Sequence, residues 1–364
     1  MKNGKIRLGC VGLRRGRDLL TNVTSMPEVE IAAICDKDSD RLQAGKKWLD
    51  GLDRKYDYVC CNEFRELLQT DIDAIIIATE ASAHVAMSIE ALKAGKHVLS
   101  EVPAIHSEAE AVALYKAVKE SGRKYMLGEN CCFWAFINTW KKMKEDGLLG
   151  DVWYAEAEYL HNVVYLMKDK NGNPTWRAKY DAIRYLTHDL GPLLYIMDDR
   201  CVSVSGFAPD INPIPEHSTG TPNEVAIFKT AKGALIKIFV SFGLQMEPAR
   251  HNFSMFGSKG TLETTRSGEE ATIAYLNSIP NTNGMIRIPI GSSYPDASEA
   301  VRAGHGGADY YMIKNFIDAI IEDKEPLIGV ELAVRMSLPG IYAHDSKLQN
   351  GIPVQIPDIM DLIK

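Results

Sequence analysis

The stretch Lys5-Ile-Arg-Leu-Gly-Cys-Val-Gly-Leu-Arg-Arg-Gly16, followed by Val29-Glu-Ile-Ala-Ala-Ile-Cys-Asp36, decides the fold. It reads as a strand over 5–11, a turn carrying Gly12 and Gly16, a helix over 17–26, and a second strand over 29–35 ending at Asp36. Such a turn lets backbone N–H groups at a helix N-terminus approach a pyrophosphate, because glycine carries no Cβ. An acidic residue closing the second strand can accept hydrogen bonds from both ribose hydroxyls. Asp36 lies 24 residues beyond Gly12, near the roughly 20 of the dinucleotide fingerprint. The fingerprint is incomplete, since Arg14 and Arg17 stand where a G-x-G-x-x-G counted from Gly12 needs glycine. Gly12, Leu13, Arg14 and Arg15 form the candidate cradle, the arginines lying along phosphate oxygens. The competing reading is a tight strand-to-helix turn that binds nothing. A carboxylate at position 36 repels a 2′-phosphate, so NAD is the expected cofactor rather than NADP.

Outward from this unit, 364 residues predict two domains. Hydrophobic content of 46% and charged content of 24% are those of a globular chain. A net charge of −7 gives no basic field for nucleic acid. No cationic amphipathic stretch or long apolar run points to a membrane, and residues 1–5 do not read as a secretion signal. The seven cysteines are odd in number and lack metal-ligand spacing. They read as reduced thiols of a cytoplasmic protein, with no metal expected.

Strand and helix alternate as far as residue 128, with the apolar run 73–79 reading as a central parallel strand buried on both faces. This predicts a Rossmann domain over 1–128, an α/β doubly wound parallel sheet with right-handed crossovers. Beyond residue 129 the pattern changes to alternating strands at 152–161, 202–209, 223–230, 234–242, 251–256 and 261–265. They predict an α+β domain over 129–364 with an open, mostly antiparallel sheet. Helices at 186–197, 308–322 and 330–349 are expected to cover one face. The other face is expected to join copies of the chain into a homo-oligomer, or to line the substrate. Residues 277–303 read as a long loop of the kind that forms lids.

Several residues could carry chemistry. Glu101 ends a parallel strand, where ligands of open α/β sheets bind. Thr79 and His84 follow another strand end; His84 lines the cofactor pocket or caps its own helix. His188 begins a helix, whose dipole disfavours the charged imidazole and leaves it able to accept a proton. Oxidising a hydroxyl requires such a base while hydride leaves carbon. Asp189 reads as that helix's cap. Tyr159 and His161, two apart on one strand, share a face. Trp176, Arg177, Arg184 and Tyr185 add aromatic and guanidinium groups suited to carbohydrate, although an amphipathic sheet is rich in aromatics anyway. His305 precedes a helix within a glycine-rich segment.

The turn at 12–16, ATEASAH (78–84), AGKHVLSEVP (94–103) and the Gly257-Ser-Lys-Gly260 turn resemble the Gfo/Idh/MocA oxidoreductases over nearly the whole chain. The resemblance implies an N-terminal NAD(P) domain, a C-terminal domain used in oligomerisation, and sugar or polyol substrates. The family's E-K-P lysine is replaced by Val102, and the aspartate of its D-x-x-x-H motif by Arg184. EVPA (101–104), GENCC (128–132), EAEYLHN (156–162), YLTHDLGP (185–192) and GHGGADY (304–310) are similar to the NAD-dependent glycosidases of the α-N-acetylgalactosaminidase type. Those enzymes oxidise a sugar at C3, eliminate the aglycone, add water and reduce C3 again. By that resemblance His188 serves the C3 hydroxyl, Tyr159 the C2 proton, and His161, Asn130 and His305 the sugar. A tyrosine of that group is Ala249 here, and its export signal is not found. The expected activity is NAD-dependent oxidation of the C3 hydroxyl of a sugar or glycoside, with a complete redox glycosidase as the alternative. A protein that only senses sugar or NAD is the third reading.

Overall fold

A computed structural model describes residues 4–246, 248–267, 269–279, 284–294, 298 and 304–364. The chain divides into two compact units, Met1–Asn130 with Pro295–Val334, and Cys131–Tyr294 with Arg335–Lys364. The chain thus crosses between the units at 130/131, 294/295 and 334/335, where a single boundary at 128/129 is expected from the sequence.

The first unit holds six parallel strands: β1 (Ile6–Val11), β2 (Val29–Cys35), β3 (Val59–Cys61), β4 (Ala74–Ile77), β5 (His97–Ser100) and β6 (Tyr125–Leu127). Their order is β3-β2-β1-β4-β5-β6, the doubly wound arrangement. All four residues of β4 are buried, as the continuous apolar run requires of a strand covered on both faces. Local signals set the helix ends. Ser107 Oγ accepts from Glu110 N at 3.2 Å to start the helix Glu108–Ser121, and Gly122 ends it in the left-handed region. The helix Arg15–Val23 begins earlier than the sequence pattern suggests, directly at the glycine turn. The helix Ala308–Ile321, expected to cover the second sheet, belongs to this unit instead and packs on Arg15–Val23. Its apolar face (Met312, Ile313, Phe316, Ile317) is fully buried there, and Lys314 pairs with Glu28.

The second unit is built on nine strands. They are β7 (Val152–Leu160), β8 (Cys201–Phe207), β9 (Asn223–Thr230), β10 (Leu235–Ser241), β11 (Arg250–Gly257), β12 (Gly260–Thr264), β13 (Thr272–Leu276), β14 (Ile286–Ile288) and β15 (Val354–Gln355). The order is β14-β13-β12-β11-β7-β10-β9-β8-β15, antiparallel except for the parallel pair β7–β10. Ala155 and Ala157 on the buried face of β7 are small, so the helix Thr187–Met197 lies close against the strand. The helix Ala135–Glu145 adds an aromatic layer in which Phe136 meets Trp140 and Phe253 at 5.4 and 5.6 Å. Trp140 is fully buried and its indole N–H donates to Thr272 Oγ1 at 2.9 Å. The opposite face is half exposed and carries the ion pair Lys237–Glu156 at 2.5 Å and Arg266–Glu158 at 2.9 Å. The seven cysteines carry free thiols. Among the described residues no helix is long and apolar enough to cross a membrane. Much of the loop read at 277–303 lies outside the described residues.

Candidate functional site

In the first unit, the turn after β1 has the form the sequence predicts. Gly12 sits at φ +87°, and a Cβ there would lie 2.4 Å from the carbonyl oxygen of Ala78, so only glycine fits. The turn is held by Asp36, which is 4% exposed: Oδ2 accepts from Leu13 N at 2.8 Å and Oδ1 from Asp38 N at 2.9 Å. A carboxylate has about four lone-pair positions, so two remain for ribose hydroxyls. No side chain caps the helix Arg15–Val23. Its first N–H groups are thus suited to phosphate. Bare turn, uncapped helix and terminal carboxylate together fit a dinucleotide.

Arg15 is placed differently from the phosphate-facing role read for it. Its Nε donates to Glu101 Oε1 at 2.8 Å, and its two terminal nitrogens donate to both oxygens of Asp309 at 2.8 and 2.7 Å. Asp309, fully buried, also accepts from Asn130 Nδ2 at 2.9 Å and pairs with His305 Nδ1 at 3.1 Å. Burial alone would raise its pKa, but hydrogen bonds from His305 and Arg15 and the guanidinium charge hold it well below the usual carboxylate range. Asn130 and His305, read as sugar contacts, thus belong to this network of the first unit. Arg14 is exposed. His84 begins its helix, buried, with Nε2 3.2 Å from Thr79 O and Nδ1 3.4 Å from Pro103 O, and burial lowers its pKa. It ties two strand-end loops together. Thr79 Oγ1 lies 3.5 Å from Met87 Sδ.

In the second unit the buried side of β7 runs through Ala155 and Ala157 to Tyr159, and a cluster of rings gathers there. Tyr159 stacks with His161 at 5.5 Å and with His188 at 5.8 Å, interplanar angles 23° and 12°. It meets Tyr185 edge-on at 5.8 Å and His251 at 4.9 Å. Burial, then the neighbouring Tyr185, push the phenol well above its ordinary pKa, so it stands protonated at neutral pH. His188, in the first turn of Thr187–Met197, has Nδ1 3.5 Å from Cys131 Sγ. Arg177 lies over the rings of Trp176 and Tyr185 at 4.5 and 4.7 Å and donates to the Tyr185 hydroxyl at 3.1 Å. Arg177 Nη1 and Arg184 Nε are buried without a hydrogen bond among the described residues.

The sequence reading missed His251. It stands directly opposite Tyr159 in the β7–β11 register, and its Nδ1 lies 3.1 Å from Oδ1 of the fully buried Asp189. Asp189 is therefore a partner of an imidazole and not the cap expected of it: Leu186 holds the cap position of the helix Thr187–Met197, and no side chain caps it. Only the pairing of two strands about ninety residues apart in sequence, with Asn252 and Glu158 beside them at a separation of 94, could have shown this.

Comparison with known proteins places these features. Residues 6–129 match the profile of an oxidoreductase family with an NAD-binding Rossmann fold, Gfo/Idh/MocA. A glycosyl hydrolase family 109 protein of Solibacter usitatus is 25% identical, over 98% of this chain and 88% of its own. A second, from Akkermansia muciniphila, is 28% identical over 98% and 83%. Among solved structures, levoglucosan dehydrogenase in complex with NADH and levoglucosan superposes with a TM-score of 0.83 at 17% identity, covering 97% of this chain and 100% of that one. The fold is shared across both units, and the cofactor is NAD. Over residues 6–129 the chain is similar to the NAD-binding Rossmann fold of the Gfo/Idh/MocA oxidoreductase family.

Proposed function

We propose that the protein oxidises the C3 hydroxyl of a sugar or glycoside to the 3-keto form. The observation that carries this reading is the ring cluster in which Tyr159 stacks with His161 and His188 and faces the His251–Asp189 pair. Bound NAD supplies the hydride acceptor; Gly12, Leu13, Arg14 and Asp36 of the first unit are the residues proposed to hold it. Thr79, His84, Glu101 and Arg15 support the loops around them. The second unit supplies the proton chemistry. His188 stands at a helix N-terminus, where the dipole disfavours a cation, and with Cys131 at Nδ1 we assign Nε2 to the C3 hydroxyl proton. The Tyr159 phenol and His161 donate hydrogen bonds to the sugar oxygens, and Trp176, Arg177, Arg184 and Tyr185 contact the ring. Val102, where the E-K-P pattern has its lysine, is buried, so the acid–base work is assigned to these imidazoles.

The relatives named glycosyl hydrolases favour a second reading, a redox glycosidase in which the 3-keto sugar loses its C2 proton and aglycone, gains water and is reduced again. That cycle needs a base for the C2 proton. Burial holds Tyr159, the residue assigned to it, as a phenol, which supports the plain dehydrogenase instead. Purified protein incubated with a panel of glucosides and galactosides in deuterated water decides between them. A 3-keto glycoside, aglycone attached, formed in proportion to added NAD is the expected product. Free sugar with deuterium at C2, formed without added NAD, would establish the glycosidase. No product and no change in NAD absorbance, with stabilisation by both ligands, would leave a sensor. The half-exposed face of the nine-stranded sheet is the proposed surface for self-association, which sedimentation equilibrium tests.

A further inference from the structure

The second unit contains another group of ionisable side chains, which the proposed reaction does not use. His344 lies on the helix Val330–Leu348, Glu224 on β9, and Asp181 just ahead of the 3-10 turn Ala182–Tyr185. His344 and Glu224 are 8% and 1% exposed. His344 Nδ1 stands 3.5 Å from Asp181 Oδ2 and 3.6 Å from Glu224 Oε1, and one donor atom from each residue lies within 4.8 Å of the others. Neither His344 Nδ1 nor Glu224 Oε1 has a hydrogen-bond partner among the described residues. The remaining carboxylate oxygens are held by backbone: Glu224 Oε2 accepts from Ile183 N at 2.9 Å and Asp181 Oδ1 from Thr221 N at 3.1 Å.

We propose that Asp181, Glu224 and His344 bind a divalent transition-metal ion of the zinc class. An imidazolium paired with a carboxylate closes to about 2.7–2.9 Å. Here the nitrogen stands nearly equidistant from two carboxylates and farther from both. Zinc ligands at about 2.0–2.2 Å in a tetrahedron lie roughly 3.4 Å from one another, and the observed separations are those edges. One imidazole and two carboxylates select zinc, cobalt or manganese over magnesium and calcium, which take oxygen ligands alone. An ion also answers the cost of burying an unpartnered carboxylate oxygen. Backbone N–H groups fixing the non-ligating oxygens are the outer shell such sites need.

The ion would join β9, the helix Val330–Leu348 and the turn that presents Tyr185 to Tyr159 and His188. The packing here is already close, since a Cβ on Gly340 would lie 2.8 Å from Ile183 O. Its role is to hold that turn, not to take part in the reaction. Cysteine spacing in the sequence carries no sign of this site, because none of its ligands is cysteine.

The test uses the full chain, stripped with a chelator, dialysed, and titrated with Zn²⁺ by calorimetry and with Co²⁺ by visible absorption. A single saturable ion per chain is expected, with the intense visible bands of four-coordinate cobalt. Asp181→Asn and Glu224→Gln should each weaken Zn²⁺ by about a hundredfold or more, beyond the 10–100-fold that outer-shell changes cost. His188→Ala should leave stoichiometry and affinity unchanged, which separates this site from the ring cluster. No saturable binding, wild-type affinity in both carboxamide variants, or loss of binding in His188→Ala would overturn the proposal. Should Glu224→Gln fail to fold, Asp181→Asn at its partly exposed position retains the test.

Discussion

Around Asp309 and around Tyr159 the protein uses polar groups in opposite ways. Both oxygens of Asp309 receive donors from Arg15, with Asn130 and His305 completing the set. Around Tyr159 the contacts are ring against ring, and Arg177 Nη1 and Arg184 Nε are buried donors without a protein acceptor among the described residues. A network whose charges satisfy one another fixes geometry. A cluster of rings and unused donors can accept a new hydrogen-bonding partner without first breaking an old one. The first unit's polar centre has the form of a scaffold, and the second unit's is where the chemistry is proposed.

The largest effect should follow from removing the proposed base. His188→Ala is expected to lower turnover by about 10²–10⁴, with NAD affinity unchanged by calorimetry. Undiminished turnover would move the base to Tyr159, His161 or His251. The scaffold reading is broken or kept by Asp309→Asn, which should cost about 3 kcal/mol in denaturant unfolding, the size of breaking a buried ion pair. The pH dependence follows from the direction of the shift. A carboxylate held below its unfolded value contributes stability above that value and loses it as pH falls. The difference between wild type and Asp309→Asn should therefore be full at pH 7 and begin to shrink below about pH 4. A constant difference down to pH 3 would mean that Asp309 acts through packing alone. Smaller still, Asp189→Asn leaves His251 without its carboxylate and should slow turnover about tenfold, with a shifted pH profile. A change in KM alone would make the pair a positioning device.

The same contrast explains what the sequence made legible. The first sheet follows local rules: the β4 run, the cap at Ser107 and the glycines at 95 and 122 each act within a few residues. The face shared by Tyr159 and His161 follows from strand period alone. Three strands went unread, β13, β14 and β15, and the last two, at three and two residues, are too short to show a period. Arg15 was assigned to phosphate because Asp309 lies 294 residues away. His251 was missed because register between strands, not composition, sets it opposite Tyr159.

The finest test of the contrast is Tyr159→Phe. The substitution removes one oxygen and keeps the ring, so the stacking with His161 and His188 and the edge contact with His251 survive. If the phenol only donates a hydrogen bond to the sugar, turnover should fall about tenfold, the worth of about 1.4 kcal/mol for a single neutral hydrogen bond. The 3-keto product should be unchanged. If the phenol must become a phenolate that takes a C2 proton, aglycone release should stop while C3 oxidation continues, and the 3-keto glycoside should accumulate where wild type releases free sugar. Burial pushes Tyr159 up, which makes the phenolate costly at neutral pH, so the first outcome is the expected one. The positive charge of Arg177 pulls the other way, favouring the phenolate. Because Arg177 is also assigned to the sugar ring, Arg177→Met should raise KM in either case, but it should stop aglycone release with 3-keto glycoside accumulating only if the phenol is a base, and the two variants compared in one product assay separate the roles.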